Sequence, residues 1–290
     1  MIADKKELFL QKLKNQFPGQ YNQIVEAISK PFPLTFRINK TTADEISVLD
    51  NLKAQDFEIE KGPLENSFIV KSTPTDKKLS ETQEFETGQV YIQKLSSMLP
   101  ATILNPSPNE KILDLCAAPG SKTTQIADLA DNRVQIVAVE NNRARAFKLK
   151  ENLKKYGFEN VTVINENAVL LPKTHSDYIN YFDKILVDAP CSNEGQITLT
   201  DPKSIQHWHS KLAKKISKLQ KRLLSSAVQM LKPQGTIVYS TCTFSIEENE
   251  DVIKWTISKF PYIKLIKQAR IFPDGQFTAF FYAMLQKTIE

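Results

Sequence analysis

Short apolar runs alternate with amphipathic stretches through the C-terminal part of the chain, and that alternation predicts a sheet wound with helices. Runs with the length of buried parallel strands fall at 111–115, 135–140, 161–165, 183–188 and 235–240. Helical spacing occupies 121–130, 142–156, 204–231 and 246–259. The tail adds two strands, in YIKLIKQ and FTAFFYAMLQK, with no long helix between them. Five parallel strands with crossovers and a closing antiparallel pair describe a doubly wound α/β sheet.

Upstream the pattern changes. Residues 3–16 and 19–30 read as two amphipathic helices, the second stopped by Pro31-Phe32-Pro33. Leu34 to Asn39 alternates as a strand, and Thr41-Thr42 with Glu45 reads as a capping box for a helix to about Gln55. Strand-like pieces near 57–60 and 67–70 complete a small α+β unit. The break falls in KSTPTDKK, 71–78, so residues 1–75 are expected to form one domain and 76–290 another. A helix at 81–86, a strand at 90–93 and a serine-capped helix at 96–104 lead into the large sheet. Arg37 is either a phosphate contact or a solvated strand residue.

The stretch EKILDLCAAPGSKTTQIADLA, 110–130, joins the first parallel strand to its helix. Its loop runs Cys116-Ala117-Ala118-Pro119-Gly120, with Ser121 and Lys122 opening the helix. Small residues leave room for a nucleotide-like ligand to reach backbone N–H groups at a helix N-terminus. The loop is neither GxGxxG nor the P-loop GxxxxGK[ST].

Ligands of doubly wound sheets lie beyond the carboxyl ends of the strands. Those ends carry Cys116, Glu140, Asn167, Asp188-Ala189-Pro190-Cys191 and Ser240-Thr241-Cys242. If the first, fourth and fifth strands are neighbours, all three cysteines meet on one rim, as a thiol-based site requires. Glu140 suits the two hydroxyls of a ribose, or merely the charge at a helix start. Asn167 suits an adenine edge or a turn. Asp188 can bond N3 or the amino edge of a heterocycle. Cys242 precedes a helix, which favours a thiolate, although Glu247 and Glu248 oppose it.

Composition narrows the class. With 290 residues, 41% hydrophobic and 24% charged, the chain fits one or two globular domains. No apolar run approaches the roughly 20 residues of a membrane span, and the N-terminus lacks a signal core, so a cytoplasmic protein without membrane contact is expected. Three cysteines without a CxxC make neither a disulfide framework nor a zinc ribbon, and His207 and His209 lack partners at ligand spacing, so no metal is expected. A net charge of +5 permits a polyanionic partner. Residues 203–222 hold Lys203, Lys211, Lys214, Lys215, Lys218, Lys221 and Arg222 with no acid, over a core face of Ile216, Leu219, Leu223 and Leu224. Such a run is a phosphate-backbone track or a solvated helix face.

Together, PLTFRIN, GQVYIQKLSSMLP, LDLCAAPGSKTTQ, VDAPCSNEG, YSTCTFSIEENEDVI and DGQFTAFFYAMLQK, in that order, resemble the Nol/Nop/Sun family of S-adenosylmethionine-dependent RNA cytosine-5 methyltransferases over residues 31–287. The resemblance implies a Rossmann-like methyltransferase domain behind a small, RRM-like RNA-binding domain. It implies S-adenosylmethionine as cofactor and tRNA or rRNA as partner. It implies that Cys116, Ala117, Ala118, Pro119, Gly120, Ser121, Lys122, Glu140, Asn167 and Asp188 hold the cofactor, with Asp188 and Lys122 reaching the target base. It makes Cys242 the nucleophile that adds to C6 and Cys191 the group that assists release. Arg37, Lys211, Lys214, Lys215, Lys218 and Arg222 are the expected RNA contacts. With little chain beyond Lys287, target choice is left to the small domain, the basic helix or a partner protein.

Four positions depart from the family pattern: Ser121 for a glycine, Asn167 for an Asp, Asn193 for a glycine and Lys94 for an Asp. A DNA cytosine-5 methyltransferase shares the Pro-Cys thiol, but the Cys-Ala-Ala-Pro-Gly loop, the second thiol and the lack of a long recognition insert favour RNA. An amino-methylating enzyme would favour a (D/N)PP(Y/F) loop, which DAPC is not. A catalytically idle RNA-binding or assembly factor would need neither Cys191 nor Cys242.

Overall fold

Two sheets carry the fold of the computed structural model, which describes residues 2–288. The chain opens with α1 (Ile2–Gln16), α2 (Tyr21–Ile28), β1 (Leu34–Ile38), α3 (Glu45–Lys53), β2 (Glu58–Lys61), β3 (Phe68–Ser72), α4 (Gln83–Glu86) and β4 (Val90–Ile92). It continues through α5 (Leu95–Leu104), β5 (Lys111–Asp114), α6 (Ser121–Leu129), β6 (Gln135–Val139), α7 (Arg143–Lys155), β7 (Thr162–Ile164) and α8 (Leu171–Thr174). It closes with β8 (Phe182–Asp188), α9 (Leu212–Met230), β9 (Leu231–Thr241), α10 (Glu250–Lys259), β10 (Ile263–Ile271) and β11 (Phe280–Lys287).

The large sheet has the order β10-β11-β9-β8-β5-β6-β7. Its strands from β9 to β7 run parallel, and β11 and β10 close the β9 edge antiparallel, as the pattern predicts. Successive strand residues face opposite sides. Ile112, Ala138 and Leu186 pack under Leu104, Ile126, Leu149 and Leu153 of α5, α6 and α7. Val137, Ile185 and Val187 pack under Leu223, Leu224, Val252 and Ile253 of α9 and α10. Each fully buried Leu, Ile or Val among them contributes about 1.5–3 kcal/mol, and the double-sided burial explains why these strands read as continuous apolar runs. The order places the carboxyl ends of β5, β8 and β9 side by side, so the condition for gathering the cysteines is met.

The small sheet, β2-β3-β1-β4, is antiparallel throughout, over a core that includes Phe36, Ile38, Val48, Leu52, Phe57 and Phe68. Its fourth strand comes from 90–92, beyond the break expected at 71–78. Nor do α1 and α2 join it. Phe9, Leu13, Phe17, Ile24 and Ile28 pack instead on Ile197, Ile205, Trp208 and Phe244, the loops that follow β8 and β9.

Several element starts differ from expectation. The helix expected at 96 with a serine cap, α5, starts at Leu95 after Lys94 with no side-chain cap. Asp44, not Thr41 with Glu45, caps α3, its carboxylate accepting the Ser47 N–H at 2.9 Å. The helix expected from residue 204 begins at Leu212, because Trp208 turns into the α1–α2 cluster and Ser204 bonds back to Thr198 and Asp201. The helix expected from 246 starts as a single tight turn, Ile246–Glu248, before α10. Among the described residues no helix is long and apolar enough to cross a membrane.

Candidate active site

The β5–α6 loop turns through a cis Ala118–Pro119 bond, and Gly120 caps α6 at φ +107°, where a side chain would be strained. Cys116 lines three adjoining clefts, of about 390, 220 and 230 Å3. Ala117, Ala118, Pro119, Ser121 and Lys122 border the last of these with Asp114 and Asp188. Glu140, Asn167, Arg145, Leu219 and Leu223 border the second. Cys191, Cys242, Asp188, Lys122 and Lys94 border the first. The sequence-expected cofactor residues, Gly120 apart, therefore line adjoining clefts with the two thiols.

Asp114 was not singled out by the sequence, although it ends β5. It is 1% exposed, its Oδ2 accepts the Thr123 hydroxyl at 2.7 Å, and its Oδ1 is buried without a partner. Burial pushes its carboxyl up to about 6. Glu140 accepts the Asn142 N–H at 2.8 Å and pairs with Arg145 at 3.1 Å, while Arg145 also donates to Ala118 O at 2.6 Å. Asn167 lines the same cleft and also closes a turn, its Oδ1 accepting the Val169 N–H at 3.1 Å.

Lys122, largely buried, bridges Asp188 at 2.7 Å and Ser97 Oγ at 2.9 Å. The Ser240 hydroxyl donates to the other Asp188 oxygen at 2.7 Å. Asp188 is thus fixed at the cleft wall by a cation and a hydroxyl.

The Sγ atoms of Cys191 and Cys242 lie 3.1 Å apart. Both reach Asn193 Oδ1, Cys242 at 2.9 Å and Cys191 at 3.5 Å. The hydrogen bond to Cys242, then burial, push the Cys191 thiol well above its ordinary range, so Cys191 holds its proton. Burial does the same to Cys116, which keeps it out of thiolate chemistry. Asn193 adopts φ +56°, a left-handed conformation that glycine and asparagine enter more readily than other residues.

Behind the thiols stand two buried carboxylates: Glu194, which the sequence reading passes over, and Glu248, which it reads only as an acid opposing a thiolate at Cys242. Glu248 accepts the Ser192 N–H at 2.9 Å and its hydroxyl, and Gln220 Nε2 at 3.0 Å. Burial raises its carboxyl. Glu194 pairs with Lys12 of α1 at 2.6 Å and accepts Trp208 Nε1 at 2.8 Å and Ser245 Oγ at 3.0 Å. These bonds tie the Cys191 loop to the Cys242 loop. Gly195 sits where the loops cross: a Cβ there would stand 2.3 Å from Ala279 O and 2.9 Å from Cys242 O. Its N–H donates to Cys242 O at 2.9 Å. Partners about fifty residues apart leave no local sequence signal; the single glycine of VDAPCSNEG was the one available hint.

Arg37 is corrected: it contacts no surface. It is 2% exposed, donating to Gln93 Oε1 at 3.0 Å and Thr124 Oγ1 at 2.7 Å, with Asp128 at 3.7 Å and the Tyr91 ring beneath it. It pins the small sheet to the first turn of α6. By contrast Lys211, Lys214, Lys215, Lys218 and Arg222 are exposed along the start of α9, with no carboxylate partner among the described residues. Leu219 is no core residue either: 37% exposed, it faces the cleft beside Glu140.

Residues 101–286 match the family described as 16S rRNA methyltransferase RsmB/F, and residues 7–76 match the ferredoxin-like domain of RsmF/B-like methyltransferases. Ribosomal RNA small subunit methyltransferase F of Cronobacter sakazakii is 31% identical over 276 residues, covering 93% of this chain and 57% of that protein. Human tRNA (cytosine(72)-C(5))-methyltransferase NSUN6 is 37% identical over 188 residues, 62% of this chain and 39% of that one. A solved methyltransferase homolog from Pyrococcus horikoshii superposes with a TM-score of 0.82 at 30% identity, covering 96% of this chain and 98% of that chain. The chain spans about half the length of the curated relatives it matches. With its Rossmann-like sheet and ferredoxin-like small unit, the chain belongs to the RsmB/F family of 16S rRNA methyltransferases.

Proposed function

We propose that this protein transfers a methyl group from S-adenosylmethionine to C5 of a cytosine in ribosomal or transfer RNA. The observation that carries the reading is the pair of thiols 3.1 Å apart in one cleft with the Asp188–Lys122 pair.

The residues fit the cofactor. The partnerless Asp114 Oδ1 suits an ammonium, the Glu140 carboxylate suits ribose hydroxyls, and the small-residue loop leaves room between them. When bound, S-adenosylmethionine supplies an electrophilic methyl on a sulfonium. Leu219, Leu223 and Asn167 border the part of the cleft that an adenine would enter.

C5 of cytosine is a weak nucleophile. Cys242, as thiolate, adds to C6, which breaks the ring's aromaticity and makes C5 enamine-like, able to take the methyl. Asp188, held by Lys122 and Ser240, bonds at N3 or the amino group and stabilises the charge that develops there. A base then takes the C5 proton and Cys242 is expelled. Water in the cleft takes that proton, and the Cys191 thiol, which keeps its own proton 3.1 Å from the departing sulfur, donates a hydrogen bond to the leaving thiolate; that is how Cys191 assists release. The base must leave its stack to reach the cleft, so a flipped or single-stranded cytosine is the substrate. The exposed cations of α9 run beside the cleft and suit the phosphate backbone. A cytoplasmic location, and a partner protein that helps choose the target, accord with this reading.

Incubation with methyl-labelled S-adenosylmethionine and total RNA, followed by nucleoside analysis, tests it. Labelled 5-methylcytidine is expected. Cofactor binding without label in any RNA would count against it.

A further inference from the structure

The reaction needs Cys242 as thiolate, and the charged groups around it are mostly acidic or already paired. Cys191 faces it as a neutral thiol at 3.1 Å. Asp188 stands on the same cleft wall, and Glu194 and Glu248 lie buried behind the two loops. Of the cleft's cations, Lys122 is neutralised by Asp188, and Arg145 by Glu140. Lys94 is different. It stands at the junction of β4 and α5, lines the thiol cleft, and has no carboxylate partner among the described residues. Its Nζ donates instead to the neutral amide of Gln196, in the turn that Asn193 begins.

We propose that Lys94 is a positioning residue that holds Cys242 as thiolate. This rests on the reading of Cys242 as the attacking sulfur. The thiol proton leaves to water through the cleft mouth, and the Lys94 ammonium is the unpaired charge that compensates the sulfur left behind. Desolvation lowers the Lys94 amine's proton affinity and the nearby Cys242 sulfur raises it, which puts the two groups within electrostatic reach of each other. Asn193 completes the arrangement. Its Oδ1 accepts from the Cys242 thiol, and a half-turn of the amide presents Nδ2–H to the thiolate. The Gln196 contact anchors the end of the flexible, exposed lysine at the rim of the cleft.

The test is the rate of carboxamidomethylation of Cys242 by iodoacetamide against pH, read site by site by mass spectrometry. It needs neither RNA nor cofactor, so it stands or falls separately from the methyl-transfer reading. Lys94→Met is expected to move the Cys242 profile to higher pH, slowing alkylation at neutral pH roughly two- to five-fold, the scale of one charge at short range in high dielectric. Lys94→Arg, which keeps the charge, should restore the profile. Superimposable profiles for wild type and Lys94→Met would overturn the proposal. So would a raised KM for RNA with the alkylation profile unmoved, which would make Lys94 a phosphate contact.

Discussion

Asn193 Oδ1 lies 2.9 Å from the Sγ of Cys242 and 3.5 Å from that of Cys191, on a residue held at φ +56°. One side chain thereby orients both thiols, and its backbone conformation brings it there. Asn193→Gly keeps the backbone and removes the amide. It should cost a few tenths of a kcal/mol in stability and lower the methyl-transfer rate by about ten-fold. Asn193→Val loses both and should cost a further 1–2 kcal/mol. Melting curves beside single-turnover assays separate the two effects; equal losses of stability would refute the backbone argument.

Asp114 gives stability a pH dependence of known sign. Its folded-state value of about 6 lies above its ordinary 3.8, so the folded protein binds the proton more tightly. The contribution is complete below about pH 4 and is lost as pH rises towards about 6, at most about 3 kcal/mol in all. Glu248 and Asp128, also raised by burial, act in the same direction. Asp114→Asn should therefore gain stability relative to wild type between pH 4 and pH 6 in urea unfolding. Parallel curves across that window would contradict the assignment. The same variant should bind S-adenosylmethionine less tightly.

Arg37 separates architecture from recognition. Its removal leaves buried Asp128 with only the Thr41 hydrogen bonds and no countercharge, so Arg37→Ala should cost about 3–5 kcal/mol. Filter binding at a temperature where the variant is folded should show unchanged RNA affinity. A large loss of affinity in the folded protein would restore the surface role.

What the sequence revealed, and what it hid, follows from locality. The β5–loop–α6 unit is legible because a buried strand, a small-residue loop and a helix N-terminus are contiguous in the chain. The meeting of Cys191 and Cys242 was readable only conditionally, since it depends on β8 and β9 being neighbours. Arg37 was not readable: Gln93, Thr124 and Asp128, which bury it, come from two other segments, the end of β4 and α6. The start of α9 was misplaced because Trp208 is taken up by α1 and α2, two hundred residues upstream by count of the chain. Glu194 and Glu248 look like surface acids until Lys12, Ser192 and Gln220 are brought to them.

The basic start of α9 should act through charge alone. Replacing Lys214, Lys215 and Lys218 together by Gln should weaken RNA binding about ten-fold or more at low salt. It should reduce the slope of log affinity against log salt by about two to three, leaving cofactor binding unchanged. An unchanged slope would return these residues to the role of a solvated helix face.

The most direct measurement is a search for a covalent protein–RNA species on denaturing gels, with labelled RNA and S-adenosylmethionine present. Cys191→Ala should accumulate the adduct, because addition through Cys242 proceeds while release is impaired. Cys191→Ala combined with Cys242→Ala should show none, and Cys242→Ala alone should form no 5-methylcytidine. An adduct that survives loss of Cys242, or full methylation by Cys242→Ala, would contradict the assignment of the nucleophile.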